Sequence, residues 1–304
     1  MKIQNRAKIC LCISIVILLV AVVMSLTGHG INYGIDFAGG LNLQYDMGST
    51  YDKADVEEAL KAQGIEEFVV SSVGSEGTAV QIRVPTLSDE DEVQNLQNGL
   101  ETTLLEKYPN MDTDNATASY VGPVAGATLV RNAIFSVLIA AVLMLIYIAF
   151  RFDLFSGVAA VAGLLHDVLI MISFMVILRN VIQMNSSFIA AMLTIVGYSI
   201  NNTIVIFDRI RENNKKPALA GQPRSEIVEL SVKESLGRTI NTTLTTLVTI
   251  VTLYILGVAS IREFSLPIII GILAGAYSAN LINGYVWAAL EDARLARKSQ
   301  KKAA

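Results

Sequence analysis

Charge is what this 304-residue sequence has least of. Asp, Glu, Lys and Arg make up 16% of it and apolar residues 53%, whereas soluble domains carry about a quarter charged residues. That shortage excludes an ordinary soluble enzyme and a disordered chain, and there is no basic excess of the kind that binds nucleic acid. Histidine is scarce too. With two histidines and no Cys/His cluster, a structural zinc site is excluded. The two cysteines, Cys10 and Cys12, are two residues apart. Residues at that spacing do not share a helix face, so they read as small apolar fillers and not as a disulfide. No nucleophile–base pair is visible anywhere, so catalysis is not expected.

The charge that is present is segregated. Between Thr27 and Thr128 there are 17 acidic and 4 basic residues, a net of −13, and the rest of the chain holds 10 acidic and 19 basic residues, a net of +9. The overall −4 averages two opposite regions. The reading is a polytopic α-helical membrane protein with one acidic, water-exposed domain.

A helix needs roughly 20 apolar residues to cross the hydrocarbon core. Six runs qualify: Ile9 to Leu26, Leu129 to Phe150, Gly157 to Leu178, Phe188 to Phe207, Ile240 to Ser260 and Leu266 to Leu290. The first lacks the small-residue cleavage pattern of a signal peptide and reads as a retained anchor. Six spans put both termini on one side. Lys2, Arg6 and Lys8, then Arg209, Arg211, Lys215, Lys216, Arg224, Lys233 and Arg238, then Arg294, Arg297, Lys298, Lys301 and Lys302 all fall there. The positive-inside rule makes that side cytoplasmic and the acidic domain external. The expected divisions are 1–27 (cytoplasmic N-terminus and first span), 28–127 (external domain), 128–290 (five-helix membrane domain with a cytoplasmic loop at 208–238) and 291–304 (basic cytoplasmic tail).

The external segment reads as mixed α/β. Leu41 to Met47 alternates like a strand. Asp52 to Gln63 is helical, with Gly64 as a C-terminal stop. Phe68 to Val73 and Ala79 to Val84 are strands around a turn at Gly74 to Gly77. A capping box at Ser88 to Asp91 opens a helix to about Lys107, and Thr117 to Val121 is a last strand. The order β-α-β-β-α-β is the ferredoxin-like α+β pattern, which by itself decides no function. Ahead of it, Gly34-Ile-Asp36-Phe-Ala-Gly39-Gly40 lacks phosphate-loop spacing and reads as a tight bend where the chain leaves the membrane.

Ionisable and amide groups inside spans are costly and point to function. The third span carries His166-Asp167. The fourth carries Tyr198-Ser-Ile-Asn201-Asn202-Thr203 and ends in Asp208-Arg209-Ile-Arg211-Glu-Asn213. The fifth opens with Arg238 and holds threonines at 242, 243, 245, 246, 249 and 252; the sixth holds Tyr277, Ser278, Asn280 and Asn283. Asp167 needs a partner or a proton and is the functional candidate. The threonine row reads as glue between helices. Arg238 either snorkels or takes part. Gly271 to Gly275 permits close helix approach, and Ser225 to Leu236 suits a short helix on the membrane surface.

The segments Gly34 to Gly40, Gly197-Tyr-Ser-Ile-Asn201, Asp208 to Asn213 and Arg238-Thr239 stand in the order seen in the SecF family of bacterial protein-export membrane proteins. Arg151-Phe-Asp153 and His166-Asp-Val168 are similar to it as well. The resemblance covers essentially the whole chain. It implies a SecD/SecF-type protein of the resistance-nodulation-division superfamily, in the bacterial inner membrane. It further implies pairing with SecD into a twelve-span unit, work beside the SecYEG translocon and YajC on a translocating preprotein, and drive from a proton or sodium gradient, with no organic cofactor. Gly34, Asp36, Gly39, Gly40, Asp208, Arg209 and Arg211 are the motif residues carried over. Asp167, Asn202, Arg238, Asn201 and Tyr198 are the ion-pathway candidates. One position departs from the family: where many members have an aspartate as proposed ion carrier, this chain has Asn202, and an amide carries no proton at ordinary pH. Four readings stay open: coupling through a carboxylate of SecD, a titrating Asp167, a sodium-preferring site, or an uncoupled structural subunit. A half-transporter for a small molecule or lipid is the rival outside export.

Overall fold

The computed structural model describes residues 3–73, 77–85 and 90–303. It divides into two compact units, one of residues 33–134 with 183–186, the other of 1–32, 135–182 and 187–304.

The smaller unit opens with a short helix, α2 (Ile35–Ala38), which leads into strand β1 (Gly40–Asp46). Helix α3 (Lys53–Ala62) follows, with the Asp52 carboxylate accepting from the Ala54 amide as its N-cap. Strands β2 (Val69–Val73) and β3 (Ala79–Val84), helix α4 (Glu90–Lys107) and strand β4 (Asp112–Val121) complete it. The sheet order is β2-β3-β1-β4, antiparallel throughout. That is the ferredoxin-like arrangement expected from the element order. Alternation explains its core: Leu41, Leu43 and Tyr45 on β1 and Val80, Ile82 and Val84 on β3 point to one face. There they meet Val56 and Leu60 of α3 and Leu96, Leu100 and Leu104 of α4. The last strand is twice the expected length, starting at Asp112. Residues 74–76 of the expected turn, and Ser88 and Asp89 of the expected capping box, lie outside the described residues.

The larger unit is helical. Among the described residues, six helical stretches are long and apolar enough to cross a membrane. They belong to α1 (Ile3–Leu26), α5 (Pro123–Arg151), α6 (Leu154–Ile177), α7 (Ser186–Asn213), α8 (Arg224–Leu256) and a last one made of α9 and α10. In that last stretch α9 (Ala259–Ser278) passes through a single π-turn (Ala279–Asn283) into α10 (Gly284–Ala303). Burial ranks them. About half or more of the apolar windows of α6, α7 and the last stretch is buried (56%, 50% and 61%), against 11%, 6% and 11% for α1, α5 and α8. The first three therefore form the centre, and the others present apolar faces outward, as lipid-facing helices do. Glycine lets α9 approach α7 closely: a Cβ on Gly271 would lie 2.5 Å from Ile195, and one on Gly275 3.1 Å from Ser199.

Two expectations need correction. The region 208–238, read as a cytoplasmic loop, is mostly helix, because α7 runs to Asn213 and α8 begins at Arg224. The segment Ser225 to Leu236 is not a separate surface helix. It is the first third of α8, and Ile227, Val228, Ser231, Val232 and Ser235 are buried along one face. Their three- and four-residue spacing is helical, and it continues through Thr239 and Thr243 without a break.

Candidate functional site

The glycine-rich motif before β1 has a steric basis. Gly40 sits at φ 108°, and a Cβ there would lie 2.3 Å from the Val84 carbonyl oxygen. Gly39, at φ 78°, ends α2. These are conformations that glycine adopts without strain. The Gly34 amide donates to the Met184 carbonyl at 2.8 Å, next to a parallel bridge between Tyr33 and Met184. Asp36 accepts from the Ser186 amide at 2.7 Å and from its hydroxyl. Ser186 is the first residue of α7, so Asp36 caps a helix 150 residues further along the chain.

The motif at the end of α7 also holds helices in place. Arg209 pairs with Glu234 of α8 at 2.7 Å and with Glu212 at 2.5 Å. Arg211 donates to the Arg151 carbonyl at the end of α5 and stands 5.9 Å from the Phe152 ring. Asp208 is exposed and approaches Arg151 at 3.9 Å. Asn213 donates to Ser231 and Glu234.

The buried polar centre of the helical unit is built around His166 and Asp167 on α6. Asp153 caps this helix by accepting from the Ser156 amide and hydroxyl, which sets its start. Asp167 is completely buried. Its Oδ1 faces His166 Nδ1 at 2.9 Å. Its Oδ2 accepts from Ser199 of α7 at 2.5 Å and from Ser278 of α9 at 3.0 Å. On the other side of the imidazole, Nε2 lies 2.8 Å from Ser14 Oγ of α1 and 3.0 Å from the Tyr277 hydroxyl of α9. Ser14 and Tyr277 are 2.8 Å apart, and Ser14 also donates to the Cys10 carbonyl at 3.0 Å. The polar chain thus ties together four helices.

One helical turn from Asp167 a second layer follows. Asn283 Nδ2 donates to Thr203 at 2.8 Å, and Thr239 of α8 donates to Asn280 at 3.0 Å. Both asparagines lie in the π-turn, whose extra residue per turn rotates them inward. Gly163 makes room: a Cβ there would stand 2.0 Å from Asn283 Oδ1.

The expected ion-pathway residues do not all converge. Asp167 and Asn202 are buried in the same unit, and the Asn202 amide nitrogen has no hydrogen-bond partner among the described residues. Arg238 is exposed and does not oppose Asp167. It is one residue, about 100° of rotation, away from Thr239 on the buried face of α8. Asn201 is turned outward beside Asn202 for the same reason. Tyr198 is half-buried and donates to the Thr242 carbonyl at 3.0 Å. The threonine row is mostly not interhelical glue. Thr242, Thr245, Thr246, Thr249 and Thr252 donate to carbonyls three or four residues back in α8 itself. A hydroxyl that bonds its own helix needs no neighbour. Ser14, the hydroxyl in the middle of the apolar first span, was the residue that sequence reasoning missed. Its only signal was being polar in an uncharged run. His166 was noticed beside Asp167 but not counted in the ion pathway.

A six-span helical core with an interior carboxylate and a ferredoxin-like domain inserted after the first span defines a multi-pass α-helical membrane protein. The model described as protein export membrane protein SecD/SecF, C-terminal, matches residues 101–293, and the SecD/SecF GG motif matches residues 25–49. This chain belongs to the SecD/SecF family. Protein translocase subunit SecF of Rickettsia bellii is 35% identical over 280 residues, covering 92% of this chain and 90% of the relative. Protein translocase subunit SecDF of Bacillus subtilis is 34% identical over 92% of this chain but 37% of its own length. The crystal structure of SecDF, a translocon-associated membrane protein from Thermus thermophilus, matches with a TM-score of 0.80 at 32% identity, covering 96% of this chain and 39% of that one. The chain thus spans about two fifths of the SecDF chains, and nearly all of the SecF relative. Its role lies in protein transport, as an accessory of the Sec translocase.

Proposed function

We propose that this chain is the SecF-type half of a SecD–SecF pair. Set in the bacterial inner membrane with both termini cytoplasmic, it uses an ion gradient to promote preprotein export through the SecYEG translocon, with YajC as a further neighbour. The observation that carries this is the fused relative: this chain aligns along nearly its whole length with little more than a third of SecDF. The fused chain has ample length for a SecD-type half. The outward faces of α1, α5 and α8 suit such a partner, and on α8 that face includes Arg238 and Asn241, polar groups that lipid does not satisfy. A carboxylate sealed at Asp167 supports ion use, since moving one charge through 100 mV supplies about 2.3 kcal/mol. That energy biases a conformational equilibrium only if the ion binds the two states unequally.

The test is purification of the tagged full chain from its native membrane in mild detergent, with mass spectrometry of co-purifying proteins. A SecD-type chain at near-stoichiometric level, with translocon subunits, is the expected result. A homo-oligomer with no Sec component would overturn the pairing.

A further inference from the structure

We infer that His166, with Asp167 as its fixed counter-charge, is a proton-binding site of this chain, and that the Ser14 hydroxyl is the hinge that lets it bind and release. Its use in export rests on the reading above; its existence as a proton site does not.

The geometry accommodates both protonation states without moving a heavy atom. Take the neutral imidazole first, with its hydrogen on Nδ1 directed at Asp167 Oδ1. Nε2 is then an acceptor, and Ser14, at 2.8 Å, donates to it. Tyr277 donates to Ser14, at 2.8 Å. Now add a proton to Nε2. The new N–H donates to Ser14 Oγ, and the Ser14 hydrogen swings to the Cys10 carbonyl at 3.0 Å. Tyr277 continues to donate to Ser14, whose two lone pairs accept both hydrogens. One proton is gained, no bond between heavy atoms forms or breaks, and no donor is left orphaned. Only one hydroxyl rotates.

The proton belongs on His166 and not on Asp167. Three donors already converge on the carboxylate: Ser199 and Ser278 on Oδ2, and the imidazole on Oδ1. Protonating it would add a fourth hydrogen among them. The imidazole also retains 12% of its side-chain surface exposed, while Asp167 has none, so His166 is the more accessible member of the pair. A single negative charge among apolar helices is expensive, and an imidazolium beside it makes a neutral pair. The other titratable side chains facing the pair are Tyr277 from α9 and Cys10 from α1; α7 and the π-turn present only hydroxyls and amides. Arg294 of α10 stands against Phe155, in the first turn of α6 and eleven residues before His166. Among the described residues no other cation bonds to Asp167.

His29 and His166 are the only histidines, so the site can be read directly. The full chain with His29→Gln is labelled with nitrogen-15 histidine, placed in lipid nanodiscs and followed by NMR from about pH 8 to pH 5, the range in which imidazoles ordinarily titrate. The expected signature is Nδ1 protonated throughout and Nε2 gaining its proton as the pH falls. Asp167→Asn should weaken proton binding at His166 about tenfold or more, the effect of losing an adjacent opposite charge. Ser14→Ala, which removes an acceptor of the new hydrogen and leaves the carboxylate alone, should weaken it about threefold. The second variant keeps the test decisive if the first does not fold. An imidazole that stays neutral across the range, midpoints unchanged in both variants, or a signal that answers to sodium at constant pH would each overturn the proposal. If His166 titrates as stated while Asp167→Asn leaves gradient-driven export intact, the proton site stands and the ion-coupling part of the proposed function falls.

Discussion

Single atoms decide several positions in this chain. Gly163 faces Asn283 so closely that a methyl group would sit 2.0 Å from its side-chain oxygen. Asn283 is buried and held by Thr203, so it cannot simply swing away. Gly163→Ala should therefore cost about 1–3 kcal/mol, as overpacking does, read as a lower thermal midpoint in detergent. Adding Asn283→Ala should recover part of that loss, and strict additivity of the two changes would remove the contact from the account. Asp36 acts over a long sequence distance for the same local reason: an amide at a helix start needs an acceptor. Asp36→Ala should cost about 1 kcal/mol, and hydrogen exchange at the Ser186 amide should accelerate. An unchanged exchange rate there would mean the cap is not formed in the membrane.

At the scale of elements, the α+β unit ties α3 to α4 through a small polar cluster. The Tyr108 hydroxyl donates to Asp55 at 2.6 Å, and Lys107 pairs with Asp55 at 2.9 Å and Glu58 at 3.2 Å. The Tyr108 hydroxyl, followed by Lys107, holds the Asp55 carboxyl below its ordinary value of 3.8, and Asp55, followed by Glu58, raises Lys107. For a depressed acid the stabilisation is complete above the unfolded value and is lost as the pH falls through the folded one. For a raised lysine it is complete below 10.5 and is lost at still higher pH. Tyr108→Phe should therefore leave the α+β unit measurably weaker at neutral pH, and nearly as stable as before only well below pH 3.8, where the Asp55 carboxyl is protonated in the folded state as well. Thermal unfolding followed across pH checks it; a loss equal at both ends of the range would assign the effect to packing. Helix α6 offers a cleaner element test. Asp153→Ala removes its N-cap and should cost about 1 kcal/mol, visible as a lower midpoint with no change in helix content.

For the whole molecule the question is which surfaces are shared. If Arg238 meets a partner, Arg238→Ala should reduce gradient-dependent secretion while the protein level stays constant. Unchanged secretion in cells that depend on this chain would remove Arg238 from the mechanism. Orientation is testable with Cys10 and Cys12 replaced by serine. Ser119→Cys on exposed β4 should react with an impermeant thiol reagent applied from outside, and Lys215→Cys should react only after the membrane is opened. The reverse pattern would invert the topology inferred from the basic segments.

The six spans, the α+β unit and its strand order were legible because they rest on local periodicities, which a sequence displays directly. So was the weight placed on Asp167, since a carboxylate in an apolar run is costly wherever the fold puts it. What the sequence could not show was which side of each helix faces inward. Arg238 and Thr239 are adjacent in the chain and about 100° apart in space, and only packing decides that Thr239 is inside. Nor could it show that Ser14, 152 residues before His166, completes the hydrogen bonding of that imidazole, or that the π-turn rotates Asn280 and Asn283 toward the centre. Periodicity governs what each segment becomes, whereas hydrogen-bond partners between segments depend on distances that exist only once the helices have packed.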